Sequence, residues 1–271
     1  KPDLLAFKKS ELYKKAKSDA SWFCKIYKAS ETNLIDKFEL EQLKQNMTDE
    51  EYRQELECDF SAAINGSIYG KIIDKLDAEN RITKINYDVG YPVHTAWDLG
   101  IADEGIVVFF QEIGRQIYFI DSLAKSGEGL PWFAKEIKNR DYVYGRHFAP
   151  HDIEVRDFSN GLSRREVAYQ LGIRFQVAPK LAVEEGIHIT SMMLARCYFD
   201  QEKCETLIDA LRHYHRKWSV NNKFFSKPQH DWSSHFCDAV RVAAVSLTEN
   251  VAGKKPPQVM AQNEYQVFGV S

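Results

Sequence analysis

Val93-His-Thr-Ala-Trp-Asp-Leu99 is the stretch from which the fold is read. Its β-branched and aromatic residues suit a pleated surface, and it ends on a polar Asp and a glycine, so it reads as a strand. Gly105-Ile-Val-Val-Phe-Phe110 and Gln116-Ile-Tyr-Phe-Ile120 read the same way, and a turn containing Gly114 joins them as a hairpin. Further along, Gly129 to Arg140 fits a helix with Pro131 near its first turn, and Tyr144 to Ala149 fits a fourth strand. Ser163-Arg-Arg-Glu166 matches a capping box, opening a helix that Gly172 ends. Ile173-Arg-Phe-Gln-Val177 is then a fifth strand. Helices follow from about Leu181 to Arg196 and from about Glu202 to His213. A hairpin from Trp218 to Phe225 is centred on Asn221-Asn222, and an apolar helix runs from Trp232 to about Leu247. Antiparallel strands first, then strands alternating with helices, predict an α/β domain: a mixed sheet flanked by helices.

Around this domain, placed at 91–250, the pattern changes. Residues 1–60 read as a helical linker segment, with Leu12, Tyr13 and Ala16, then Leu40, Leu43 and Met47, at helical spacing. Thr48-Asp-Glu-Glu51 looks like a helix start with acids in its first turn. Residues 61–90, punctuated by Asn65-Gly66, Gly70 and Gly90, read as a connector with short extended pieces. Residues 251–271, with Pro256-Pro257, read as a flexible tail. The chain has 271 residues, 44% hydrophobic and 28% charged, which is ordinary for a soluble globular protein. No apolar run approaches the roughly 20 residues that span a bilayer, so no membrane contact is expected. Five cysteines, odd in number and without a CxxC pair, point to a reducing compartment and mostly buried thiols. A net charge of −3 excludes a generically basic DNA coat. It leaves room for a nucleic-acid enzyme whose metal site is acidic and whose phosphate path is locally basic. Because the chain begins with Lys1 rather than Met, it is expected to be a fragment.

Three polar residues stand at the mouth of the last helix, in His230-Asp-Trp-Ser-Ser-His-Phe-Cys-Asp-Ala-Val-Arg241. Asp231, His235 and Asp238 are spaced to share one helical stripe. Either Asp231 caps a solvated first turn, or the stripe serves a metal ion. Asp98 ends the first strand, beside Gly100, where ligands of α/β folds gather; a cap or turn former is the plainer reading. Asp103 and Glu104 fit the turn that follows. Asp152, in Phe148-Ala-Pro-His-Asp152, ends the fourth strand at an equivalent place, while Asp157 reads as a loop residue. His147 and His151 are four apart but lack the helical face of a zinc motif. Carboxylates from separate elements suit Mg²⁺ or Mn²⁺, and two such ions about 4 Å apart can drive phosphodiester hydrolysis. The arrangement resembles the ribonuclease H-like nuclease fold.

The resemblance narrows to the nuclease domain of tailed-phage terminase large subunits. Phe148-Ala-Pro-His-Asp152, followed by Gly161 and the helix to Leu171-Gly172, is similar to their second acidic motif. Ser234-His-Phe-Cys-Asp-Ala-Val-Arg241 is similar to their closing motif, and Tyr52-Arg-Gln-Glu-Leu-Glu-Cys-Asp-Phe60 to the segment leading into the nuclease. The resemblance implies Asp98, Asp152 and Asp238 as a catalytic triad holding Mg²⁺ or Mn²⁺, two ions in all, with His235 near the metal. It implies an endonuclease that cuts double-stranded concatemeric viral DNA during packaging in the cytoplasm of an infected bacterium. An ATPase motor domain, a small terminase subunit and a portal would be its partners. Cys237 departs from the small residue common there, and no GxxxxGK[ST] phosphate loop occurs, so the chain looks like the nuclease part alone. Arg164 and Arg165 near the second acidic motif, and Arg212, Arg216, Lys217, Lys223 and Lys227 around the hairpin, could meet DNA phosphates or form a solvated face. Trp218, Phe224 and Phe225 read as hairpin packing. Two other readings share parts of this pattern: a resolvase or transposase of the same fold, and a non-catalytic DNA-binding or docking module.

Overall fold

The computed structural model describes residues 27–32, 34–47, 52–53, 56–58, 66–100, 104–156, 161–219 and 224–251. The readings at Leu12, Thr48 to Glu51, Asp103, Asp157 and the tail lie outside them. Within the N-terminal segment, α1 (Ala29–Thr32) and α2 (Lys37–Asn46) are helical, and Asp36 caps α2 by accepting from the Phe38 and Glu39 amides. In 61–90 the structure differs from the extended pieces expected. A helix, α3 (Gly70–Ala78), forms there, with Ser67 Oγ accepting from the Gly70 amide at 2.9 Å. Tyr69, Ile73 and Leu76 are spaced to share one face and are fully buried in the core. Packing of that stripe overrides the glycine-rich flanks that suggested a connector.

The remaining elements are β1 (Ile82–Thr83), β2 (Val93–Asp98), β3 (Glu104–Ile113), β4 (Gln116–Ser126), α4 (Leu130–Lys138), β5 (Tyr144–Ala149), α5 (Arg164–Gln170), β6 (Phe175–Val177), α6 (Val183–Leu194), β7 (Cys197–Asp200), α7 (Glu205–His213), β8 (Arg216–Ser219), β9 (Phe224–Pro228) and α8 (Trp232–Val251). Among the described residues, seven strands make one sheet in the order β1-β7-β4-β3-β2-β5-β6, and β8 and β9 pair as a separate hairpin. β3 pairs antiparallel with β2 and β4, while all other neighbours in the sheet are parallel. The sheet is therefore mixed, with β3 alone reversed. The β3–β4 turn carries Gly114 at φ 63°, a left-handed conformation that costs glycine little.

Alternation along the central strands sends side chains to two cores. Ala96, Ile106, Val108, Phe110, Phe119 and Phe148 face α3, α6, α7 and α8, meeting Leu194, Leu207, Leu211, Phe236, Val240 and Ala243. Val93, Trp97, Val107, Phe109 and Ile120 face α4 and α5, meeting Phe133, Ile137 and Ala168. Each large side chain so buried contributes roughly 1.5–3 kcal/mol. Because Ala96 faces α8, Asp98 two residues on faces that helix too. On the opposite face, Ser163 closes the expected capping box on α5, accepting from the Glu166 amide while the Glu166 carboxylate accepts from the Ser163 amide. Ser163→Ala is expected to cost about 1 kcal/mol, read as a lower urea midpoint with unchanged slope.

Candidate metal and nucleic-acid site

β2 runs out of the core at Asp98, and α8 packs across the same sheet face, which sets His235 and Asp238 beside it. His235 Nδ1 lies 3.2 Å from Asp98 Oδ2. Asp238, one turn further along α8, feels the Asp98 charge directly. Its carboxyl is pushed up to about 6, first by burial, with Asp98 adding to the rise and Arg241, His235 and His230 opposing it. Arg241 Nη1 is paired with Asp238 Oδ1 at 2.8 Å. That contact lacks hydrogen-bond geometry, so Oδ1 is a buried carboxylate oxygen with no hydrogen-bond partner among the described residues. Such an atom is costly unless something else satisfies it. A cleft of about 440 Å³ opens here, lined in part by Tyr214, His230, Ser234, Asp238 and Arg241. Tyr214 sits close enough that burial first, and then the Asp238 charge, hold its phenol above the usual range.

The predicted site residues fall into three groups. Asp98, Asp238 and His235 come together. Asp152 does not terminate β5 as the sequence suggested: Pro150 has no N–H to continue the ladder, so the strand stops at Ala149 and Asp152 lies in a one-turn 3₁₀ helix, His151–Glu154. β5 runs parallel to β2, with Ala96 opposite Phe148, so Asp152 leaves the same end of the sheet as Asp98. Its side chain is exposed, and among the described residues no contact joins it to Asp98 or Asp238. Asp231 caps α8: its Oδ1 accepts from the Ser233 amide at 2.8 Å and from Ser233 Oγ at 2.5 Å.

The basic residues are less available than their spacing implies. Arg164 donates to the Leu99 carbonyl at 2.9 Å, tying α5 to the end of β2. Arg165 pairs with Glu154 at 2.5 Å, and Arg216 grips both carboxylate oxygens of Glu184. Arg212 pairs with Asp74 and Asp77. Lys217 stands on β8, Lys227 on β9 is exposed, and Lys223 lies outside the described residues. A wider concavity of about 850 Å³ over α5 is lined by Arg156, Arg165, Tyr169 and Arg174 and holds none of the three acids. Sequence spacing alone did not mark Arg241 and Tyr214 as part of the site. Arg241 could have been found as the i+3 partner of Asp238 on a helix, whereas Tyr214 comes from another element and left no local signal.

Gly186, buried on α6, sits against Arg241: a Cβ there would lie 2.5 Å from Arg241 Cδ and 3.0 Å from Cγ. Because the obstructing atoms belong to a side chain, Arg241 would yield and move off Asp238. Gly186→Ala is expected to raise the Asp238 carboxyl further above about 6, followed by NMR titration of the metal-free protein. Overpacking should also lower stability by about 1–3 kcal/mol in a denaturant melt.

Hard carboxylate oxygens beside an imidazole, one of them buried and, among the described residues, ion-paired but not hydrogen-bonded, fit a divalent cation such as Mg²⁺ or Mn²⁺. No family model matches the chain, and no curated protein matches it. Solved structures do. The large terminase of a thermophilic bacteriophage is 13% identical in one crystal form, with a TM-score of 0.53 over 82% of this chain and 55% of that one. In a second crystal form the same terminase is 14% identical, with a TM-score of 0.52 over 90% of this chain and 59% of that one. This chain therefore spans little more than half the length of that terminase. The P22 large terminase nuclease domain is 18% identical, with a TM-score of 0.50 over 63% of this chain and 89% of that domain. In fold, the chain is a ribonuclease H-like α/β domain of the kind found in the nuclease part of phage large terminases.

Proposed function

We propose that the protein is a metal-dependent endonuclease that cuts double-stranded concatemeric viral DNA during genome packaging. The observation that carries this is the meeting of Asp98 and Asp238 from two different elements, with Asp238 Oδ1 buried and lacking a hydrogen bond among the described residues. Asp98 and Asp238 would hold Mg²⁺ or Mn²⁺, with Asp152 as a third carboxylate from the same sheet end and two ions in the fullest form of the site. The bound cation would supply Lewis acidity and a water made nucleophilic near neutral pH. His235 orients the Asp98 carboxylate through its 3.2 Å contact, and Arg241 offsets part of the negative charge at Asp238. Arg164, by holding the Leu99 carbonyl, fixes the end of the strand that presents Asp98.

The DNA would be held by phosphate contacts, which carry no sequence information and weaken steeply with salt. Lys217 on β8, Lys223 next to β9 in sequence, and the remaining N–H groups of Arg164 suit that task. Arg165 and Arg216 would have to exchange Glu154 and Glu184 for phosphate. Among the described residues no helix is long and apolar enough to cross a membrane. An ATPase motor domain, a small terminase subunit and a portal are the proposed partners, and the cytoplasm of an infected bacterium the proposed setting. The test is nicking of supercoiled plasmid with Mg²⁺ or Mn²⁺ against the same reaction in EDTA. Cleavage in the first and none in the second is expected. DNA binding without cleavage in either would leave a docking module instead.

A further inference from the structure

A second group of ligating side chains lies one to two turns up α8 from Asp238. His213 closes α7, His215 stands at the foot of the β8–β9 hairpin, and Asp231 caps α8 just beyond the other foot. One donor atom from each of the three lies within 4.8 Å of the others, and all three are half-buried. His213 Nε2 and Asp231 Oδ2 are 3.9 Å apart, too far for a hydrogen bond. Further contacts orient His215 and Asp231. His215 Nδ1 is 2.8 Å from the His213 carbonyl, so that nitrogen donates and Nε2 keeps the lone pair a metal takes. Asp231 spends Oδ1 on Ser233, which leaves Oδ2 facing His213. We infer that His213, His215 and Asp231 form a transition-metal site of the Zn²⁺ class, separate from the carboxylate pair of the proposed nuclease centre.

Two imidazoles and one carboxylate, with a fourth position open, are a donor set suited to tetrahedral Zn²⁺ and poorly suited to Mg²⁺. The site is a clamp by position. It joins the C-terminus of α7 to the N-terminus of α8 across the base of the hairpin, where the Gln229 amide already donates to the His215 carbonyl at 2.9 Å. Occupancy would fix the angle at which β8 and β9 leave the body of the protein. That matters to the neighbouring centre because His230, at the hairpin's exit, has its ring 5.1 Å from that of His235. Asp231 and Asp238 are two turns apart on α8, roughly 10 Å along the axis, so one ion does not serve both.

The test uses the full chain carrying Asp98→Asn and Asp238→Asn, which removes the carboxylate pair of the proposed nuclease centre, with Co²⁺ as a coloured probe for Zn²⁺. One equivalent should bind with the intense visible bands of a tetrahedral ion, compete with Zn²⁺, and raise the melting temperature. Adding Asp231→Asn, which keeps a good helix cap, or His215→Gln should weaken binding by at least about tenfold while the metal-free melting curve stays in place. Undiminished Co²⁺ binding in both added variants would overturn the site. So would the absence of any Co²⁺ or Zn²⁺ uptake at micromolar concentration in the Asp98→Asn, Asp238→Asn background. Because that background already lacks the Asp98–Asp238 pair, failure here leaves the nuclease proposal standing.

Discussion

Asp98→Asn and Asp238→Asn are each expected to lower Mg²⁺- or Mn²⁺-dependent plasmid cleavage by about a thousandfold or more. A bound Lewis acid lowers the barrier of phosphodiester hydrolysis by several kcal/mol, and each 1.4 kcal/mol or so is a factor of ten in rate. Asparagine keeps the shape of the side chain but loses the charge that holds the cation. The two substitutions should act alike because both remove half of one pair. Neither should unfold the protein. Asp98 ends its strand, and Asp238 is held charged only against the cost of burial, its carboxyl standing at about 6 in place of 3.8. Wild-type cleavage in both variants would remove the assignment. Asp152→Asn separates two forms of the site. An equal loss means the exposed turn His151–Glu154 brings its carboxylate to the pair when DNA binds, whereas retained activity means the pair works with His235 alone. Salt dependence of binding should survive all three substitutions, since phosphate contacts come from other residues.

How much of this was legible in the sequence depends on where each signal resides. β2 was readable to within a residue because a strand buried along nearly its whole length is a run of apolar and β-branched side chains with a polar stop. β5, with Gly145, Arg146 and His147 in it, was marked chiefly by Pro150, and the reading that carried it on to Asp152 went too far. The capping box at Ser163 was readable because it is complete within four residues. α3 was not: its buried stripe of Tyr69, Ile73 and Leu76 is short, and flanking glycines pointed the other way. β7, Cys197–Asp200, and the two-residue β1 were hidden because strands that short carry too few residues to show a period. Strand parity placed Asp98 on the α8 side, so its meeting with Asp238 followed from local pattern plus one packing decision. The clustering of His213 and His215 with Asp231 did not follow, since it depends on how the hairpin's feet come together. Tyr214 entered the cleft by the same route.

Acid is expected to destabilise the protein between about pH 6.5 and pH 4, and the reason lies in two histidines on opposite faces of the sheet. His94 is buried against Phe110 and Phe148, and its ring is lowered to about 4 by burial first and then by Arg146. Its Nδ1 accepts from the Arg146 amide at 2.9 Å, so protonation there would set two donors against each other. Glu112, 3.5 Å from Nε2, would favour the charged ring, but Arg146 already pairs with the same carboxylate. His147 is lowered to about 4 by burial alone. It lies 2.7 Å from the Thr95 hydroxyl, which accepts from the Trp97 indole N–H, so the neutral ring completes a chain of three groups.

For a base whose folded value lies below the unfolded 6.5, the unfolded chain binds more protons inside that window. The stabilisation from these rings is therefore whole above 6.5 and lost as pH falls toward 4. Asp238 acts with the opposite sign. Its folded value, about 6, lies above the unfolded 3.8, so it adds stability as pH falls through the same range and offsets roughly one histidine. With allowance for partial exposure of His147 and Asp238, the net loss from pH 7 to pH 4 is about 2–4 kcal/mol, a large share of an ordinary folding free energy. Urea melts of the metal-free protein across that range check it. His147→Gln should flatten the pH dependence and Asp238→Asn should steepen it. If His147→Gln leaves the slope unchanged, the buried neutral ring is not the group that binds the proton on unfolding.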